Sequence, residues 1–112
     1  MIRATTPTHR FFFDDNPEEN FQIILITYAQ NGKIILEKHK EDLSFDSCDR
    51  LDGKTVYIAS LKFTQEETNK FAANPKGTVN IQVRAVTYDG EAIASDISQI
   101  SVENVLNDEV LV

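Results

Sequence analysis

The sequence predicts an all-β chain folded as an antiparallel sandwich, and three observations carry that expectation. Asn31-Gly32 and Asp89-Gly90 each stand between β-type runs, and such pairs accept the positive φ that a tight hairpin between twisted strands demands at both turn residues. Val79, Ile81, Val83 and Ala85 alternate with Asn80, Gln82 and Arg84, the period of a strand with one wet face. The one good helix signal is Thr64-Gln65-Glu66-Glu67, a capping box long enough for a turn or two and no more.

Taken in order, residues 8–13 read as a first strand, with Pro7 tolerated at its entrance because an opening residue need not donate to a ladder. Phe11 and Phe13 share one face and Phe12 takes the other, so one of these faces requires cover from a second sheet or a partner. Residues 14–20, Asp-Asp-Asn-Pro-Glu-Glu-Asn, read as an acidic loop. Residues 21–30 form a central strand apolar on both faces, with Phe21, Ile23 and Leu25 on one and Ile24, Ile26 and Tyr28 on the other. It returns through Asn31-Gly32 into residues 33–40.

Between 41 and 53 the pattern weakens to a short edge strand around Leu43 and Phe45, ending in a turn at Leu51-Asp52-Gly53. Residues 54–63 restore alternation, with Tyr57, Ala59, Leu61 and Phe63 on one face. The helical turn near residues 65–71 follows, closed by Asn74-Pro75-Lys76-Gly77. After the strand from Val79, the Asp89-Gly90 hairpin leads to a long last strand, residues 91–102. Ile93 and Ile97 share one parity there and Ile100 and Val102 the other, which calls for a bulge between Asp96 and Gln99. Hairpin order with one helical crossing fits an immunoglobulin-like β-sandwich of six to seven strands, a flattened barrel being the alternative. Residues 1–102 are expected to make the single domain, and residues 103–112, with five aliphatics and no hairpin signal, an arm or fold-back segment.

Composition narrows function. At 112 residues the chain fits one core, and its net charge of −7 with no basic stripe speaks against binding nucleic acid or an anionic membrane surface. Cys48 is the sole cysteine, so no intramolecular disulfide is available, and it is expected to be buried or half-buried. No apolar leader is visible, and the longest apolar run, Ile23 to Ile26, is too short to span a bilayer. Carboxylates crowd two loops, Asp14, Asp15, Glu18 and Glu19 in one and Asp42, Asp46, Asp49 and Asp52 in the other. Neither has the spacing of a calcium loop, and His9, His39 and Cys48 lack the paired spacing of a zinc site. Cys48 sits among acidic residues, without the electropositive setting a nucleophilic thiol needs, and no serine sits in a nucleophile elbow. No catalytic residue, metal or cofactor is therefore expected.

The opening Met1-Ile2-Arg3 with Thr5-Thr6-Pro7-Thr8-His9, the strands Ile26-Thr27-Tyr28-Ala29-Gln30 and Val79-Asn80-Ile81-Gln82-Val83-Arg84, the corner Phe63-Thr64-Gln65-Glu66-Glu67-Thr68 and the ending Leu106-Asn107-Asp108-Glu109-Val110-Leu111 span nearly the whole chain. In these stretches it resembles a small family of phage and prophage proteins of Gram-positive gut bacteria, encoded among tail genes. In strand order and size it is similar to the immunoglobulin-like N-terminal domain of phage upper-baseplate proteins. The resemblance implies a virion protein of tail or baseplate, made in the host cytoplasm, that contacts other phage structural proteins or copies of itself and performs no catalysis. Phe12, Val105, Leu106, Val110 and Leu111 are the expected interface residues, docking by strand addition or apolar packing. A carbohydrate-binding host-attachment module is the alternative.

Overall fold

The computed structural model describes residues 1–72, 78–103, 107 and 109–111. Two antiparallel sheets face each other across one core. The smaller has the order β1-β5-β4, from β1 (Thr8–Phe13), β4 (Ser44–Asp49) and β5 (Thr55–Lys62). The larger holds β2 (Phe21–Gln30), β3 (Lys33–His39), β6 (Val79–Thr87), β7 (Ala92–Ala94) and β8 (Ser98–Ile100) in the order β3-β2-β6-β7, with β8 also on β6. One-turn helices α1 (Pro17–Asn20) and α2 (Gln65–Thr68) interrupt the strands, as does a 3-10 turn at Lys40–Asp42. The all-β sandwich expected from the sequence is thus the fold.

Turn chemistry explains where the elements begin and end. Asn31 at φ 55° and Gly32 at φ 75° both take the left-handed region between β2 and β3, as an Asn-Gly hairpin requires. The second hairpin differs from its expectation, because at its turn only Gly90, φ 89°, is left-handed. The Gly90 N–H donates to Thr87 C=O (3.1 Å) and the Thr87 N–H to Glu91 C=O (2.9 Å), the three-residue loop in which glycine alone needs positive φ. The Thr87 hydroxyl anchors this loop by donating to Asp89 and accepting the Glu91 N–H at 2.9 Å.

The acidic segment read as a loop holds a helical turn. Asn16 accepts the Glu18 N–H at 3.1 Å and Pro17 sits at the first helical position, an N-terminal signal outweighed in sequence by its strand-breaking look. Bulges account for two further differences. A register shift between Phe21 and Ile23 turns Phe21 onto the core face with Ile24, Ile26 and Tyr28, leaving Ile23 and Leu25 outside. The expected long last strand is broken in two at Ser95-Asp96-Ile97, overlapping the span from Asp96 to Gln99 expected to hold a bulge. There Ser95 donates its N–H to Val83 C=O (2.8 Å) and accepts the Val83 N–H on Oγ (3.0 Å), so a side chain stands in for a ladder carbonyl. Asn74 to Gly77, expected to close the helical corner, lie outside the described residues.

The core is built around Tyr28, whose ring meets Phe63 edge-on at 5.1 Å and Phe71 at 6.1 Å. Ile24, Ile26, Leu61, Val79 and Val102 fill the space around them. Thr64 and Glu67 form the capping box as the sequence predicts, and Lys38 pairs with the same Glu67 carboxylate, tying α2 to β3.

Two buried polar residues, Gln30 and Thr68, hold irregular backbone in place. Gln30 donates through Nε2 to Ala72 C=O and accepts the Ala72 N–H on Oε1, both at 2.7 Å, imitating a strand pair. Thr68 Oγ1 accepts the Thr5 N–H at 3.2 Å and lies 3.0 Å from Thr5 C=O. The opening segment is clasped to the domain: Ile2 bridges Glu103, with Arg3 N–H on Glu103 C=O at 2.9 Å and Glu103 N–H on Met1 C=O at 2.7 Å. Gln30→Leu removes both bonds to Ala72 and is expected to lower unfolding free energy by about 1–3 kcal/mol in urea denaturation, against almost no change for the exposed Gln22→Leu.

Candidate docking groove

The sheets differ in width by one strand. β7 pairs with Arg84–Val86 and β8 with Val79–Ile81 on the same flank of β6, so the larger sheet is four strands across and the smaller three. The uncovered position lies beside β1. Along it runs a groove of about 780 Å³, lined by Phe11 and Phe13 of β1, Phe21, and Val83, Ile93 and Ile100 of the larger sheet. Ile93 pairs with the buried Ala85 and so faces inward, yet it is 47% exposed, because no described strand lies over it.

Two loop bonds fix which backbone groups point into this gap. Phe63 N–H donates to Pro7 C=O (3.0 Å), one step before the Thr8–Lys62 pair, and Arg50 N–H donates to Lys54 C=O (2.7 Å), one step beyond Asp49–Thr55. Antiparallel pairs alternate between bonded and non-bonded, so β5 turns residues 57, 59 and 61 to β1 and residues 56, 58 and 60 to β4. The N–H and C=O groups of Thr8, Arg10 and Phe12 therefore point away from β5, along an edge that no described strand pairs. At the opposite edge of this sheet, the Ser47 N–H is capped by Asp46 Oδ1 at 2.7 Å and Asp49 adds a second carboxylate, two devices that blunt an edge.

The residues expected to form an interface separate. Phe12 points to the outer side of the small sheet, 66% exposed, beside Ile58, Val56 and Cys48 around a shallow hollow of about 470 Å³. Cys48 is exposed there, contrary to expectation, since its strand parity places it on the outer face. Val110 and Leu111 lie back on this same domain, where Gln65 Nε2 donates to Leu111 C=O at 2.8 Å and Gln65 Oε1 accepts the Leu111 N–H at 2.7 Å. Val110 is half-buried against the hollow at Thr6, Phe63 and Gln65, and the Leu111 side chain is exposed. Val105 and Leu106 lie outside the described residues.

His9 is the histidine of the groove lining. Its ring packs edge-on against Phe63 at 4.8 Å and its Nδ1 lies 2.8 Å from the Tyr28 hydroxyl. Burial, with a smaller push from the amino-terminal ammonium, lowers the His9 pKa, and burial pushes that of Tyr28 up. At Glu67 burial opposes ionisation, but the hydrogen bonds from Lys38 and the Thr64 amide outweigh it and hold the carboxyl below its usual value. Among the described residues no group of three His, Cys, Asp or Glu side chains converges as metal ligands.

No family model, curated protein or solved structure matches this chain.

The groove was half legible in the sequence. That Phe11 and Phe13 share a face needing cover follows from parity, but that β1 is an edge, and that Ile93 is stranded opposite it, depends on strand order, which no local pattern records. The His9 environment has a consequence in solution. Since its folded pKa lies below the unfolded value, the unfolded chain binds more protons as pH falls through about 6.5, so stability is complete above that pH and declines beneath it. Urea midpoints are expected to fall between about pH 7 and pH 5.5, and His9→Gln is expected to flatten that decline.

Proposed function

We propose that the chain is a non-enzymatic structural or assembly protein of a phage or prophage particle, in the tail or baseplate, that works through protein–protein contacts at the open flank of β1. The observation that carries this reading is the coincidence of three features on one edge: backbone groups at Thr8, Arg10 and Phe12 that no described strand pairs, an apolar groove beneath them, and an inward-facing isoleucine that no described strand covers. Each satisfies the needs of an added strand, whose backbone bonds supply affinity and whose alternate side chains fill the groove. The family resemblance supplies the setting, a particle in which subunits meet in fixed geometry. The exposed aromatics give a sugar-binding reading less support, because Phe12 lies on the outer face of the small sheet and Tyr88 in the hairpin after β6.

The test is direct. Particles purified on a density gradient from an induced strain carrying the gene are expected to contain the chain, with antibody labelling at one end of the tail; a chain abundant in the lysate and missing from particles would overturn the virion assignment. Arg10→Pro deletes an N–H that faces the free edge and leaves the bonds to β5 intact. This variant is expected to keep its circular dichroism spectrum and to be lost from particles, whereas normal incorporation of a folded Arg10→Pro chain would exclude β1 as the contact.

A further inference from the structure

Resting on the strand-addition reading above, we infer that the segment received by β1 comes from a partner protein, is apolar at alternate positions, and carries Lys or Arg at the end lying beside Phe13. The groove is electrically lopsided. At the Phe13 end it continues, past the shared residues Phe21 and Ile93, into a second hollow of about 720 Å³ whose lining includes the carboxylates of Asp15, Glu19, Asp89 and Glu91 and no lysine or arginine. Of the neighbouring cations, Lys40 is already committed, its Nζ donating to the carbonyls of Phe21 (2.6 Å) and Glu18 (2.8 Å) and lying 5.6 Å from the Tyr88 ring centre, while Arg50, paired with Asp52, and Lys54 reach Asp15 and Glu19 from a separate hollow and leave Asp89 and Glu91 unmatched in the lining. The groove lining itself holds one charge of each sign, Arg10 and Asp96, and otherwise uncharged residues such as Thr8, Ser98 and Ile100. An incoming strand therefore meets apolar side chains along its length and negative potential at one end only.

Charge also decides between a partner and a second copy. Two chains of net charge −7 repel. A two-fold pairing of β1 with itself would set Thr6-Pro7-Thr8 of the second copy, which carry no cation, beside the acidic end. A basic-ended strand answers both the apolar groove and the carboxylates, and it gains steering toward the correct end before any backbone bond forms.

The full chain can be titrated with four synthetic peptides built on an alternating valine–serine strand of about six residues. One is neutral, one has two lysines at its amino end, one has two lysines at its carboxyl end, and one has two glutamates. Binding is followed by fluorescence anisotropy, and the contact by amide NMR shifts of Thr8, Arg10 and Phe12. One lysine peptide, and not the other, is expected to bind roughly five- to tenfold more tightly than the neutral one. That advantage is expected to vanish in high salt and in the Asp15→Asn, Glu19→Gln, Glu91→Gln triple variant. Equal affinity for the neutral and lysine peptides, with the edge amides still shifting, would overturn the charge inference and leave strand addition standing. Equal gains for both lysine peptides would reduce the effect to general attraction by an acidic chain and likewise overturn it. If no peptide moves the edge amides, strand addition itself falls, and with it this inference; a concentration-dependent dimer that shifts those amides would assign the edge to a second copy instead.

Discussion

A sheet three strands wide cannot cover one four strands wide, and that mismatch governs this molecule. With strands about 5 Å apart, the deficit is a slot the width of one extended chain, and everything around the slot is arranged as if a strand belonged there. Phe11 and Phe13 point under it, Ile93 and Ile100 line its floor, and the edge of β1 offers its unused donors and acceptors along its rim. The break at Ser95 shapes the same slot from the other side, because it divides the flank of β6 between two short strands and bends the last segment around the groove.

The rest of the sandwich is kept from drifting by side chains that act as backbone. Gln30 imitates a strand toward Ala72, Gln65 does the same toward Leu111, Ser95 replaces a carbonyl for Val83, and Thr68 receives Thr5. Each side chain satisfies backbone groups where the sheet ladder has ended, the positions at which unpaired amides would otherwise cost the most. The aromatic cluster of Tyr28, Phe63 and Phe71 lies beneath two of these tethers, so the corner at α2, the opening residues and Leu111 are coupled to one packed region. The small sheet's β1 is thereby fixed at its Thr8 end, through the Phe63 bond to Pro7, while its Phe13 end runs into the acidic hollow.

Sequence periodicity disclosed nearly all of this fold and little of its use. β1 and β2 start and stop where alternation and turn residues place them, and the Thr64–Glu67 capping box is present as written. The differences have a common physical origin. The bulge that turns Phe21 inward, the Ser95 break and the three-residue loop at Gly90 each exchange a regular backbone pattern for a local hydrogen bond or register shift, and these depend on the partner strand. The same holds for the groove. Parity showed that a phenylalanine face needed cover, but only the order β1-β5-β4 shows that β1 is an edge.

The two edges of the small sheet argue that the open one is functional. Edge strands invite unwanted pairing, and this chain blunts β4 with Asp46 capping the Ser47 amide and Asp49 beside it. The same chain leaves β1 with no capped amide among the described residues and an apolar cavity below it. In the proposed reading its defence is the acidic rim at the Phe13 end, which would repel further copies of this acidic chain and favour a strand of opposite charge. An edge that is protected against self and open to a complement is what a subunit needs when its place in an assembly is set by a neighbour.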